Sequence, residues 1–478
     1  MRHLSSDRHH MNHLLVFCSI LAIILQLWGC RHAPRAGSHP DRPTLTFAEE
    51  AKLAQEILPP VLDSTTALLV APDTSINAVA ILEATDQTRG KRFFALNWKH
   101  KTIAALGFLT ASEIKSSTRI QASEHGVIVF ARAVSDREED LFIRTVDSTH
   151  QVKAPFRDYW ITGGSDRFPS FELSPDGKRI VTCAFSDFYS ILKTGDTMFT
   201  NILISSMHIG ESEFGPPRID TIATLGTDNV NVYERILVGW EHNRPNSVLL
   251  QDLRPGDLYS TTSRLWSYNV ETRSYDLRSN RKAIYLCSSL DGRYIVWTNN
   301  DESCCAGVNY TDNLLILEDM QAGSSSVIYD EWARYHNRGK PEEHSPQRAQ
   351  LSPNGRHLAV TIRHFYEPGG RSLGTEPTDD ANGEVSANFQ VLVLGTHDSL
   401  VDTLSEREMM GWLDDKHLLV EERTEDFDGT RWNVEYGALY VFDIEASEEY
   451  PFLTSGPGVS ASTKVRCLDI LFRSTKIK

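Results

Sequence analysis

The sequence predicts an all-β chain, folded as a β-propeller of four-stranded antiparallel blades with a short N-terminal helix, and three observations carry that expectation. The first is a recurring unit. FELSPDGKRIVTCAF (171–185), YLCSSLDGRYIVWTN (285–299) and RAQLSPNGRHLAVTI (348–362) each place an apolar strand before a polar turn and a second apolar strand after it. In the first copy Pro pre-sets φ, Asp can bond its own backbone and Gly tolerates positive φ, so Ser-Pro-Asp-Gly is a tight turn. Looser copies occupy 68–82, 119–133, 236–251 and 409–423. The second observation is spacing. Turn centres fall near Asp73, His125, Asp176, His242, Asp291, Asn354 and Asp414, at intervals of 52, 51, 66, 49, 63 and 60 residues, the period of propeller blades. The third is that two more strands fit in each period, such as NILISSM (201–207) and RIDTIATLG (218–226), or NLLILEDM (313–320) and SSVIYD (325–330). Four strands per unit make a blade. Seven turns imply seven blades, or six if the first unit is only an N-terminal packing segment.

The elements follow in chain order. Residues 1–29 read as a lipoprotein signal peptide. Arg2 and Arg8 precede an apolar run, LLVFCSILAIILQL (14–27), which is shorter than the roughly 20 residues that span a bilayer and suits a signal core. Leu27-Trp28-Gly29-Cys30 resembles the bacterial lipobox, which implies cleavage before Cys30 and its acylation; Trp28 departs from the small or β-branched residue usual there. Residues 30–43, with Pro, Gly and Ser and no apolar periodicity, read as a flexible tether. Within 44–65, Thr46-Phe47-Ala48-Glu49 has the form of a capping box opening a short helix that stops at Pro59-Pro60. Residues 66–455 hold the repeats. Their second strands, such as RYIVWTN and HLAVTI, are almost continuously apolar, which suits strands covered on both faces. Residues 456–478 form a tail in which TKVRCLDILFR (463–473) has strand character and can close the ring.

The copies LSPDGKRIV, SLDGRYIVW and LSPNGRHLAV resemble TolB-like propeller repeats, in which Ser-Pro-Asp-Gly joins the first and second strands. DRFPSFELSPDG and EEHSPQRAQLSPNG are similar to that family's lead-in. The resemblance covers roughly 66–455 and implies a fold far more than a function. TolB itself carries a separate N-terminal domain. In this chain only about 20 residues precede the first blade, so a role in a particular envelope complex is not implied.

Composition narrows the function classes. Acids outnumber bases 64 to 48, for a net charge of −16, which excludes the basic footprint a nucleic-acid binder needs. Of seven cysteines, Cys183, Cys287 and Cys467 sit in apolar strand-like runs and read as core thiols. Cys304-Cys305 are adjacent, either a vicinal disulfide or two free thiols. No Cys/His spacing suggests zinc, and no G-x-S-x-G, H-E-x-x-H, Walker A or G-x-G-x-x-G pattern is present. No cofactor or metal is expected. His242 and His364 read more readily as solvated than as ligands. Asp426-x-Asp428-Gly429 lacks the rest of a calcium loop.

The segments expected to link second and third strands are long: 186–200, 299–312, 363–388 and 424–437. They share one rim, which makes that rim the candidate functional face. Asp187-Phe188-Tyr189 and His364-Phe365-Tyr366 begin two of them alike, and a third holds Asp426, Asp428 and Trp432. Together the four carry 14 acids against 4 bases. Aromatics among acids suit a cationic or hydroxyl-rich partner, unless the rings simply plug gaps between blades. These readings favour a monomeric, non-enzymatic lipoprotein of the bacterial envelope that binds a protein or glycan. Arg31 after the lipid-bearing Cys30 points to the outer membrane. The alternative is a propeller enzyme, a metal-dependent lyase or glycosidase, with its site on the central channel. The expected axis-lining residues Glu172, Ser289 and Gln350 are a mixed set for that purpose.

Overall fold

In the computed structural model, description covers residues 45–472 apart from 64–69, 73–75, 116, 136–137, 146–148, 153–159, 162–170, 186–200, 210–217, 225–233, 254–262, 282, 299–313, 331–342, 367–385, 397–398, 428–431 and 455–462. The chain divides after Ala48 into a short N-terminal unit and the propeller unit, 49–478. One helix, Phe47–Gln55, precedes the sheets. No described helix is long and apolar enough to cross a membrane.

Six antiparallel sheets make the propeller, each ordered from an inner strand to an outer one. Sheet A runs Lys464–Phe472, Ala78–Asp86, Gly90–Asn97, Thr102–Thr110. Sheet B runs Ser117–Ala122, Ile128–Ser135, Glu138–Arg144, Thr149–Val152. Sheet C runs Phe171–Leu173, Arg179–Phe185, Asn201–His208, Arg218–Thr224, with Trp160–Ile161 also on its second strand. Sheet D runs Glu234–Trp240, Ser247–Leu253, Ser263–Asn269, Tyr275–Arg281. Sheet E runs Ile284–Ser288, Tyr294–Thr298, Leu314–Asp319, Ser324–Asp330. Sheet F has eight strands. Glu343–Leu351, His357–Tyr366, Ser386–Gly395 and Ser399–Ser405 form one half. Arg407–Trp412, His417–Phe427, Trp432–Asp443 and Glu448–Pro451 form the other.

The seven separate blades expected from turn spacing are therefore corrected to six. The first unit is not the reason, since its second strand, Ala78–Asp86, is central to sheet A. The sixth and seventh units are instead joined where Ser386, Ala387 and Asn388 pair with Asp426, Glu425 and Thr424. Sheet A takes its inner strand from the far end of the chain, with Ala78 opposite Phe472 and Thr85 opposite Lys464.

The recurring turn works as its chemistry dictates. Ser174, Ser289 and Ser352 donate their hydroxyls to Asp176, Asp291 and Asn354 at 2.6, 2.6 and 2.9 Å. The N–H of Gly177, Gly292 and Gly355 donates back to each serine carbonyl at 2.8–2.9 Å. These three glycines have φ of 68–71°, which other residues reach only with strain. Neighbouring turns also meet. Asn243 Nδ2 donates to the Asp291 carbonyl at 2.9 Å, and Asn354 N–H donates to Asp415 at 2.7 Å. The short turns of successive units thus share one rim.

Apolar clusters lie between successive sheets. Ala78–Asp86 is buried at all but one position, because both its faces meet apolar neighbours, and each fully buried aliphatic side chain contributes about 1.5–3 kcal/mol. Leu82 and Cys467 of sheet A pack with Met410, Leu419 and Val441 of sheet F, which closes the ring. A buried hydrogen bond of 2.7 Å from Trp98 Nε1 to Asp414 secures the same join.

Candidate functional site

Sheet F gathers most of the describable rim residues into one place. His364, Phe365 and Tyr366 end its second strand, and Asp426 and Trp432 lie on the facing strands of the hairpin that follows. Reading across the sheet, Tyr366 pairs with Ser386, Ser386 with Asp426, and Asp426 with Asn433. At the usual ~4.8 Å between strands, this row spans ~14 Å. Sequence placed these residues in loops. The structure makes them strand residues, because each segment finds a ladder partner in the other. Asp187, Phe188, Tyr189, Asp428 and Cys30 lie outside the described residues.

Charge pairing stiffens this end of the sheet. Glu425 is buried to 3% exposure and pairs with both Arg363 and Arg423. Arg423 also donates to Glu408 at 2.7 Å and stacks over Phe389 at 4.3 Å. Further along the same strand, fully buried Glu421 faces Arg466 at 3.3 Å. Burial pushes the Glu421 carboxyl up to about 7 against the pull of Arg466. Arg466 in turn lies 3.4 Å above the Tyr436 ring. Buried ions tolerate this only when each has a partner of good geometry.

The inner strands bring together a second polar group, which sequence reading assembled only in part. Glu172 accepts from Arg119 Nη2 at 2.9 Å and from Gln121 Nε2 at 3.2 Å. Its side chain keeps only 16% of its accessible area. Enclosure by the surrounding strands raises its pKa to about 7, opposed by Arg119 and reinforced by the charge of Asp469. The same Asp469 acts on His242, whose pKa desolvation lowers. Gln350 accepts from the Trp412 N–H at 3.0 Å, linking two inner strands of sheet F. Ser289 is corrected: it is 3% exposed and spends its hydroxyl inside its own turn, on Asp291. Arg119, Gln121 and Asp469 were missed as axial residues. The shared Arg-x-Gln-x-Ser of RIQAS (119–123) and RAQLS (348–352) was the signal available for the first two.

Two further features carry no chemistry. Cys287 and Cys467 are buried free thiols; burial pushes Cys287 up to about 12 and raises Cys467 as well, so neither is a ready nucleophile. A 330 Å³ cleft in sheet D is lined by Arg244, Asn246, Asn269 and Asp276 among others. Its polar groups are spent on near neighbours, Arg244 on Asp276 at 3.3 Å and Asn246 on Glu271 at 2.9 Å. Among the described residues, no group of three His, Cys, Asp or Glu could hold a metal ion.

No protein-family model matches the chain, and no curated protein matches it. Solved structures do. A candidate 6-phosphogluconolactonase from Bacteroides fragilis aligns over 84% of this chain and 99% of its own, at 11% identity and a TM-score of 0.37. An acylaminoacyl peptidase from Pyrococcus horikoshii aligns over 76% of this chain at 12% identity and a TM-score of 0.35, and this chain spans 53% of that protein. A hypothetical selenium-binding protein from Sulfolobus tokodaii aligns over 81% of this chain and 83% of its own, at 12% identity and a TM-score of 0.35. At this level of likeness none of the three bears on what the chain binds or does.

Proposed function

We propose that the chain is a lipid-anchored β-propeller of a bacterial envelope that binds a protein or glycan partner through the rim end of sheet F. The address rests on the sequence, where an apolar signal core ends at Leu27-Trp28-Gly29-Cys30. Two acyl chains on Cys30 anchor a soluble body firmly, at about 0.8 kcal/mol per buried CH₂. The TolB-like repeats suit the same compartment, and Arg31 favours the outer membrane. The observation that carries the binding role is the pairing of Ser386, Ala387 and Asn388 with Asp426, Glu425 and Thr424. It ties the His364-Phe365-Tyr366 strand and the Asp426/Trp432 hairpin into one sheet, and a site built on strands is held more precisely than one on loops.

An enzyme acting at the axis is the second reading, a metal-dependent lyase or glycosidase. It is favoured by Glu172, whose pKa near 7 is the range a general acid or base works in.

Cross-linking capture from native envelopes tests the first reading with three baits: wild type, Cys30→Ser, and the double variant Tyr366→Ala with Trp432→Ala. Wild type should fractionate with membranes and retain one partner. Cys30→Ser should leave the membrane fraction. The double variant should stay anchored and folded but lose the partner. A well-folded double variant that captures the same partner overturns the rim assignment. Unchanged fractionation of Cys30→Ser overturns the anchor.

A further inference from the structure

The Arg-x-Gln-x-Ser pattern occurs on two inner strands, and only one copy is complete. Arg119-Ile120-Gln121 in sheet B and Arg348-Ala349-Gln350 in sheet F each follow a register shift, at Ser117/Arg119 and at Pro346/Arg348. In each, the Gln side-chain oxygen accepts a backbone N–H from the next inner strand, Leu173 at 2.8 Å and Trp412 at 3.0 Å. The residues just before those donors are therefore equivalent: Glu172 in one copy, Gly411 in the other. Arg119 has its carboxylate in Glu172, 2.9 Å away. In the second copy the position equivalent to Glu172 is Gly411, which offers Arg348 no side chain. Among the described residues Arg348 has no hydrogen-bond or ion-pair partner, although it is half-buried.

The backbone enforces this gap. Gly411 has φ of 148°, and a Cβ there would lie 2.8 Å from Gln350 Oε1 and 3.1 Å from Ile470 Cδ1. No acidic side chain fits at that position. A guanidinium without a counter-charge keeps its planar fork open, and that fork suits two parallel bonds to a carboxylate.

We propose that Arg348 receives a carboxylate from outside the chain, which takes in sheet F the place that the Glu172 side chain takes beside Arg119. The other charged groups of the axis sharpen the ligand class. Arg119 and Glu172 are paired with each other. Asp469 is close enough to be felt at Glu172, His242 and Cys467, and Arg348 is felt at Cys467 too. A bare polyanion would meet Asp469. A monocarboxylate with a hydroxyl, amide or ammonium donor beside it would satisfy both groups. A free hydroxy or amino acid has that chemistry, and so has an acidic side chain on a peptide. The assignment deepens the binding reading but depends on neither the sheet F rim nor the lipid.

Calorimetric titration of the purified full chain in detergent tests it, with lactate and an end-blocked Gly-Asp-Gly peptide as probes and sodium chloride at matched ionic strength as the control. Saturable binding of at least one probe is expected. Lactate binding identifies a free-acid site, and binding of the peptide alone identifies a partner's acidic side chain. Arg348→Gln should weaken binding about tenfold or more, the scale of one charged hydrogen-bonded pair. Arg348→Lys keeps the charge without the fork and should weaken it less, which covers the case of an unstable Gln variant. Arg244→Gln, in the sheet D cleft, should bind as wild type does, and the capture assay reads the rim separately, so failure at Arg348 and failure of the rim are told apart. No heat from either probe, or equal binding by both Arg348 variants and wild type, overturns the proposal.

Discussion

Glu172 shows how one residue's surroundings become a pH response. Its carboxyl titrates near 4.5 in an open chain and is raised to about 7 in the fold, through desolvation first and Asp469 next, with Arg119 opposing. Between those values the unfolded chain has lost a proton that the folded chain keeps. Stability therefore falls as pH rises through that window. The group's favourable contribution is fully present below the unfolded pKa and gone above the folded one. Glu172→Gln cannot ionise, so the stability difference between it and wild type should change from pH 4.5 to 7 and be flat outside. Urea midpoints across that range measure it, and a constant difference would show that folding leaves the Glu172 carboxyl at its open-chain pKa. The sequence placed Glu172 on the axis from its strand position alone. It could not supply Asp469, whose strand joins sheet A from the opposite end of the chain.

At the scale of elements, the short turns were readable because their chemistry is local. Ser-Pro-Asp-Gly carries its own hydroxyl, its own carboxylate and its own glycine within four residues. Two turn glycines separate the parts of its cost. Gly177 and Gly323 have φ of 68° and 63°. A Cβ at Gly177 would sit 2.5 Å from Ser123 Oγ, whereas nothing lies within 4 Å at Gly323. Alanine at either site pays the left-handed backbone penalty of about 1–2 kcal/mol. Gly177→Ala must also displace the neighbouring turn, which adds about 1–3 kcal/mol. Chemical denaturation of both variants should rank Gly177→Ala as clearly the more damaging, and equal losses would mean that the turns do not press on one another. The strand ends at His364–Tyr366 were not readable. Glu367-Pro368-Gly369-Gly370 signals a turn soon after, but nothing near Asp426 announces that its partner is Ser386. A ladder between distant segments leaves no periodic mark beyond the strands themselves.

For the whole molecule, the repeat fixed the architecture and the hydrogen bonding set the number of sheets. The seven sequence units all form strands, yet the pairing across Ala387 and Glu425 turns the last two into one sheet, a distinction invisible to spacing. Closure is the other global property. Residues Lys464–Phe472 cover the inner edge of Ala78–Asp86, and truncation after residue 462 uncovers it. An exposed, apolar strand edge is a template for association. The truncated protein should elute as oligomers in size exclusion and lose its cooperative thermal transition; a monomer with a sharp transition would show that the ring holds without its clasp. That clasp also sets a timetable. Ala78–Asp86 is among the first strands made, while its inner neighbour emerges after every other described strand. The first sheet therefore waits, edge bare, for nearly the whole of synthesis, and the chain reaches its final shape only once that late strand has been made. Completion of the fold is tied to completion of the chain, and an interrupted chain keeps an adhesive edge.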